Sequence, residues 1–178
     1  MMNLLYEIIK DNNLSIDKVV LVGGLAVSLY TGVEISKDVD FALVLDDYQK
    51  IQAMDEWGIK TKKYEWGSVD FLNPNNYVSK KHNGNEFITY VKQHRSFKKT
   101  ETGELYIAKP EVVFYTRMVV PTWEGYINKC LRDMNVGLLK NKPAIIKGMK
   151  AIADVFGSRN IINHRTEILN QYIESYFH

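Results

Sequence analysis

The chain has 178 residues, 46% of them apolar and 25% charged, a make-up that excludes a disordered or fibrous protein and is long enough to bury a real core. Its single cysteine, Cys130, excludes an internal disulfide, and no Cys/His spacing suits a structural zinc. The net charge of +2 says little about partners.

The N-terminal MMNLLYEIIKDNN has no basic start followed by a long apolar stretch, and no apolar run reaches the roughly 18 residues of a membrane span. A cytoplasmic protein that does not engage a membrane is the expectation. Leu4, Leu5, Ile8 and Ile9 recur at one-turn spacings and predict a helix over 3–11. Lys18 to Val22 reads as a buried strand that ends at Gly23 and Gly24, and Ala26 to Tyr30 as a helix stopped by Gly32. Val39 to Leu45 is a second strand. Asp46 or Asp47 would then cap a helix running through Trp57, with Tyr48, Ile51 and Met54 inside and Gly58 as its stop.

Ile59–Tyr64 and Ser68–Leu72 predict two strands joined around Trp66 and Gly67, and NPNN predicts a loop. Phe87–Val91 and Leu105–Ile107 are further strand candidates. From Pro110 onward prolines stand where helices can begin, and helices are expected over 110–119, 122–139, 143–156 and 161–177, with Gly157 as a stop. The reading is an α+β fold in which a mixed sheet is flanked by helices. Residues 1–108 would form the core, and 109–178 a helical C-terminal region packed on it. Between residues 125 and 165 the chain carries Lys129, Arg132, Lys140, Lys142, Lys147, Lys150, Arg159 and Arg165 against only Asp133 and Asp154. That asymmetry suits an anion-facing surface, or simply a solvated helical face.

The chemistry concentrates in LVGGLAVSLYTGVEISKDVDFAL, residues 21–43. In a strand, positions i and i+2 share a side, so Asp38 and Asp40 project together. Two carboxylates this close repel, and such a pair in a buried setting usually means a metal or a shared proton. A third acid, Asp70, sits among apolar neighbours in SVDFL. If its strand lies beside that of Asp38 and Asp40, the three carboxylates converge and can hold divalent ions for in-line phosphoryl transfer. All-oxygen ligands suit magnesium or manganese. The glycine pair allows close backbone approach to a polyphosphate, or else makes a tight turn with no ligand. It matches neither the P-loop nor the dinucleotide fingerprint. The four histidines show no ligand spacing, Ser28 and Ser36 have no nucleophile-elbow motif, and the tryptophans and tyrosines read first as core and interface filling, although one aromatic near the sheet edge could stack on a nucleobase.

A glycine pair after an apolar strand, thirteen intervening residues, Asp-Val-Asp in a second strand and a later aspartate in VDF together resemble the nucleotidyltransferase superfamily with the polymerase-β-like fold. GGLAVSLYTG followed by SKDVDFAL is similar in particular to minimal bacterial and archaeal branches that include antibiotic nucleotidyltransferases and AbiEii-type toxins. The match covers roughly 18–75, with a looser echo in IAKPEVVFYTRM and the helices after it. The resemblance implies that Asp38 and Asp40 bind both metal ions. It also implies that Asp70 holds the catalytic ion while helping to deprotonate or orient the attacking hydroxyl, and that Gly23 and Gly24 face a nucleoside triphosphate. Many members carry serine where Gly24 stands, so phosphate contact falls to backbone amides or to basic residues, for which Lys37, Arg117 and Arg132 are candidates. In related chains a lysine often stands where Arg117 lies.

Three functional readings follow. One is a metal-dependent transfer of a nucleoside monophosphate to an acceptor hydroxyl on a small molecule, a protein or an RNA, with release of pyrophosphate. The basic stretch leans toward RNA, and a toxin paired with an antitoxin is one setting. A second is a non-catalytic nucleotide- or nucleic-acid-binding module of the same fold. In the third, purely structural, the three aspartates would pair with buried arginines.

Overall fold

The computed structural model describes residues 2–94, 96–100, 103–120, 125, 127–138 and 141–177. In chain order these form α1 (Met2–Asp11), β1 (Val19–Val22), α2 (Gly23–Thr31), β2 (Val39–Leu43), α3 (Leu45–Lys50), β3 (Asp55–Glu56), β4 (Ile59–Tyr64) and β5 (Gly67–Leu72). There follow α4 (Gly84–Gln93), β6 (Phe97–Thr100), β7 (Gly103–Ile107), α5 (Pro110–Val119), α6 (Ile127–Asp133), α7 (Lys142–Phe156) and α8 (Arg159–Phe177). Short 3-10 turns at Ile16–Lys18 and Pro74–Tyr77 and a π-type turn at Met134–Leu138 complete the described elements.

Among the described residues, seven strands form one mixed sheet in the order β3-β4-β5-β2-β1-β7-β6. Every residue of β1 is buried, and so is all of β2 except Asp40, as expected of strands covered on both faces. β2 runs antiparallel to β1 and parallel to β5, so two of its neighbours are drawn from separate parts of the chain. Helices flank this sheet. Leu25, Ala26 and Val27 of α2, Phe87, Ile88 and Val91 of α4, and Val112, Val113, Phe114, Tyr115 and Met118 of α5 enter one continuous apolar core with the strands.

Two sequence expectations are corrected. The helix expected to run through Trp57 is only α3, which ends at Lys50 because Ile51 turns to extended backbone and the buried Lys60 ammonium donates to the carbonyls of Tyr48, Gln49 and Ile51. Met54, expected inside, is 74% exposed, and Asp47 lies buried in the first turn while Val44 holds the cap position. Trp57 and Gly58, both at positive φ, form the two-residue turn between β3 and β4 instead of a helix end. The strand expected at Phe87–Val91 is the middle of α4. The Asn83 side chain accepts from the Asn85 N–H and starts a helix whose Phe87, Ile88 and Val91 share one buried face.

The strand β6 has no sequence counterpart, since FKKT gains its conformation by pairing with β7. The helix expected over 122–139 lies partly outside the described residues, and its described part divides into α6 and the π-type turn. Pro121 and Trp123 also lie outside them. None of the described helices is long and apolar enough to cross a membrane.

Candidate functional site

Sheet register brings the acids to the glycine pair. Val22 of β1 faces Asp40 of β2, and Asp40 faces Asp70 of β5. Register partners on adjacent strands project to one face, so the two carboxylates stand side by side just where the chain leaves β1. Gly23 opens α2 there with φ +69, and a Cβ on it would overlap the Asp40 carboxylate. Only glycine meets both demands. A Cβ on Gly24 would come within 2.8 Å of the Ser36 Cβ.

Two of the three carboxylates take hydrogen-bond partners of their own. Asp38 Oδ1 accepts from the Ser68 N–H at 3.1 Å, and Asp70 Oδ1 accepts from the Thr61 hydroxyl at 2.6 Å. Asp40 carries the strain of the group. Burial first, and the neighbouring Asp70 carboxylate second, push its carboxyl up to about 7 against the pull of Arg117 and Lys129. Among the described residues, no three His, Cys, Asp or Glu side chains are grouped so as to hold a metal ion. As donors, Asp40 and Asp70 fit a hard divalent cation, since a cation would offset the charge that burial penalises. Asp38, turned onto Ser68, stands outside that pair.

Above the acids lies a cavity of about 290 Å³ lined by Gly23, Gly24, Asp38, Asp40, Asp70, Arg117 and Arg132. The structure therefore brings together all the candidate residues named from the sequence except Lys37. Lys37, in the bend before β2, lines a separate cavity with Leu25, Leu29, Val39 and Trp66. Among the described residues, no histidine lines the acidic cavity. Cys130 is fully buried and its thiol is pushed up to about 12 by burial, which leaves it inert as a nucleophile.

The cationic side of the cavity is built on helices α5 and α6. Arg117, 6% exposed, sits in the last turn of α5 with its Nη2 2.9 Å from Oδ2 of Asp133, which is fully buried. Arg132 donates from Nε and Nη2 to the other oxygen of the same carboxylate, at 3.0 and 2.9 Å. The second terminal nitrogen of Arg117, Nη1, is buried without a hydrogen-bond partner among the described residues. The Arg117 guanidinium, paired with Asp133 on one side, brings positive potential to the cavity wall. Lys129, which the sequence reading counted only within the basic stretch, also lines this cavity. Its three-residue spacing from Arg132 on one helix was the signal that would have found it. Trp57, Asn76 and Thr116 line it as well, and nothing local in the sequence marks them.

Compared with known proteins, the chain matches no family model and no curated protein.

Proposed function

We propose that the protein is a metal-dependent nucleotidyltransferase with a nucleotidyltransferase-like fold. One observation carries this reading: Asp40 and Asp70 stand in register on adjacent parallel strands beside a glycine pair, at the floor of a cavity walled by Arg117, Lys129 and Arg132. A carboxylate pair opposite a cluster of cations matches a triphosphate carried with a divalent ion better than it matches a neutral ligand.

In this reading Asp40 and Asp70, with Asp38 after a change of side-chain rotamer, would hold magnesium or manganese, which when bound supplies charge stabilisation on the attacking and leaving oxygens. Gly23 and Gly24 leave room for the phosphates beside the start of α2. Arg117 adds the charge of its guanidinium to the cavity wall, and Lys129 and Arg132 add positive charge at the rim. Asp70 orients the acceptor hydroxyl and takes its proton as the new oxygen–phosphorus bond forms at the α-phosphorus. The bond from the α-phosphorus to the bridging oxygen breaks in the same step, and pyrophosphate leaves with the electron pair. The exposed Lys129 and Arg132 at the mouth favour an acceptor that is itself anionic, such as an RNA end.

A second reading, a nucleotide- or nucleic-acid-binding module without turnover, is favoured by the separate partners of Asp38 and Asp70. One experiment divides the two. The protein is incubated with each labelled nucleoside triphosphate and magnesium, together with total RNA, cell extract or an antibiotic panel. Label transfer that disappears in Asp70→Asn is the expected result, and its destination names the acceptor class. Magnesium-dependent thermal stabilisation by a nucleotide, with no transfer to any acceptor, would instead establish the binding module. Equal stabilisation of the parent and Asp38→Ala by nucleotide and metal would remove Asp38 from the metal-binding set.

A further inference from the structure

We infer that Trp57 is the stacking platform for the nucleobase of the ligand that the acidic cavity binds. The inference rests on the nucleotide reading above and deepens it.

Three features of Trp57 meet at one residue. It is 84% exposed, its backbone is left-handed at φ 58, and it lines the cavity that holds Asp40 and Asp70. Each of the first two is unfavourable by itself. An exposed indole forgoes the burial that usually stabilises tryptophan, and a bulky side chain at positive φ is strained. Asparagine or aspartate would satisfy the first position of this type I′ turn without that strain. The turn alone does not explain the residue.

The surroundings fix the turn independently of the ring. Asp55 Oδ1 accepts from the Gly58 N–H at 2.9 Å, and the Asn76 side chain donates to the Trp57 carbonyl at 3.1 Å. Tyr48 holds the other oxygen of Asp55 at 2.7 Å. Gly58 leaves room for this arrangement, since a Cβ there would overlap the Asn76 amide. The indole is thus carried on a braced hairpin, as a platform must be.

Register gives the platform its place relative to the acids. Asp70 pairs with Thr61, and two residues further along the same face Leu72 pairs with Ile59. That step moves roughly 6.6 Å along the strands. The cavity floor therefore changes from carboxylate to apolar over one step, and Trp57 follows two residues before Ile59. Phosphates and metal fit the acidic and cationic end. A planar, apolar-faced group fits the end formed by Leu72, Ile59 and Trp57, and a nucleobase presents such a face whatever its identity.

The test measures binding of ATP, GTP, CTP and UTP, each with magnesium, and of inorganic tripolyphosphate, to the parent, Trp57→Asn and Trp57→Phe. Asparagine suits the left-handed turn, so this variant is expected to fold with unchanged or higher Tm. The expected result is that Trp57→Asn binds the preferred nucleotide roughly tenfold or more weakly, while tripolyphosphate affinity is unchanged and Trp57→Phe keeps part of the loss. Unchanged nucleotide affinity in Trp57→Asn, in a protein whose parent transfers label, overturns this inference and leaves the proposed function standing. Equal weakening of tripolyphosphate also overturns it, because the ring would then act through the phosphate end. A parent that binds no nucleotide removes both the proposed function and this inference.

Discussion

At the scale of single residues, the clearest consequence concerns Asp40. Its carboxyl is raised from 3.8 to about 7 in the folded protein, so the folded state holds that proton more tightly than the unfolded chain does. Between about pH 4 and pH 7 the unfolded chain has released the proton and the folded one has not, and stability falls as pH rises through that window. Above about 7 the penalty is complete. Asp40→Asn cannot ionise, so in chelator-treated buffer near pH 8 it is expected to melt above the parent. Asp40 is only half-buried, so solvent screens the charge and limits the gain to roughly 1–3 kcal/mol, which should vanish near pH 4. Thermal melts across that range check it, and a gain that persists at pH 4 would contradict the assignment.

Asp133 makes the opposite case. Its buried carboxylate is shared by Arg117 and Arg132, and Asp133→Ala would leave the Arg117 charge buried and unpaired. A loss of roughly 3–5 kcal/mol is expected in denaturant melts. Replacing both partners, Arg117→Met with Asp133→Leu, should recover much of that stability while abolishing anion binding in the cavity. Recovery of stability without loss of binding would show that Arg117 acts only in packing.

At the scale of elements, the junction of β1 and α2 is where sequence and site coincide. Gly23→Ala meets two obstacles, a left-handed backbone and the Asp40 carboxylate in the space its methyl would need. A stability loss of roughly 1–3 kcal/mol is expected, with cation and nucleotide binding lost together when measured by calorimetry. This junction was legible because an apolar run, two glycines and a second strand with paired acids follow one another within twenty-odd residues. The segment after β2 was not. Tyr48, Ile51 and Met54 have helical spacing, but the Lys60 ammonium, donated from β4, ends α3 early. A spacing rule sees only neighbours along the chain. Likewise the β-rich letters of Phe87–Val91 favour a strand, and the burial of Phe87, Ile88 and Val91 on one helical face overrides them.

At the scale of the molecule, α5 links the site to the rest of the core. Eight of its ten residues are buried, it carries Arg117, and Arg165 of α8 donates to the Met118 carbonyl and, at 2.7 Å, to that of Val120. Tyr115 reaches from the same helix to the Tyr77 carbonyl at 2.5 Å, on the wall of the cavity. A fragment ending at residue 108 would expose the faces of α2 and the Pro74–Tyr77 turn that α5 covers. It is expected to be poorly soluble or to bind a hydrophobic dye strongly, as compared by gel filtration and dye fluorescence. A soluble fragment with a cooperative melt would show instead that residues 1–108 fold alone.

The amino-acid order by itself determined the β1–α2 junction, most helix and strand positions, and the helical character of the C-terminal third. These depend on periods of two and 3.6 residues and on glycine and proline, which act within a few residues. Only the tertiary structure decided that Asp70 stands beside Asp40, that Lys37 points away, and that Arg117 and Lys129 face the acids. It alone carries Trp57 to the rim on a hairpin turn. Strand register and helix docking bring together residues tens of positions apart, and those contacts are set by burial of the whole core, which no local pattern encodes.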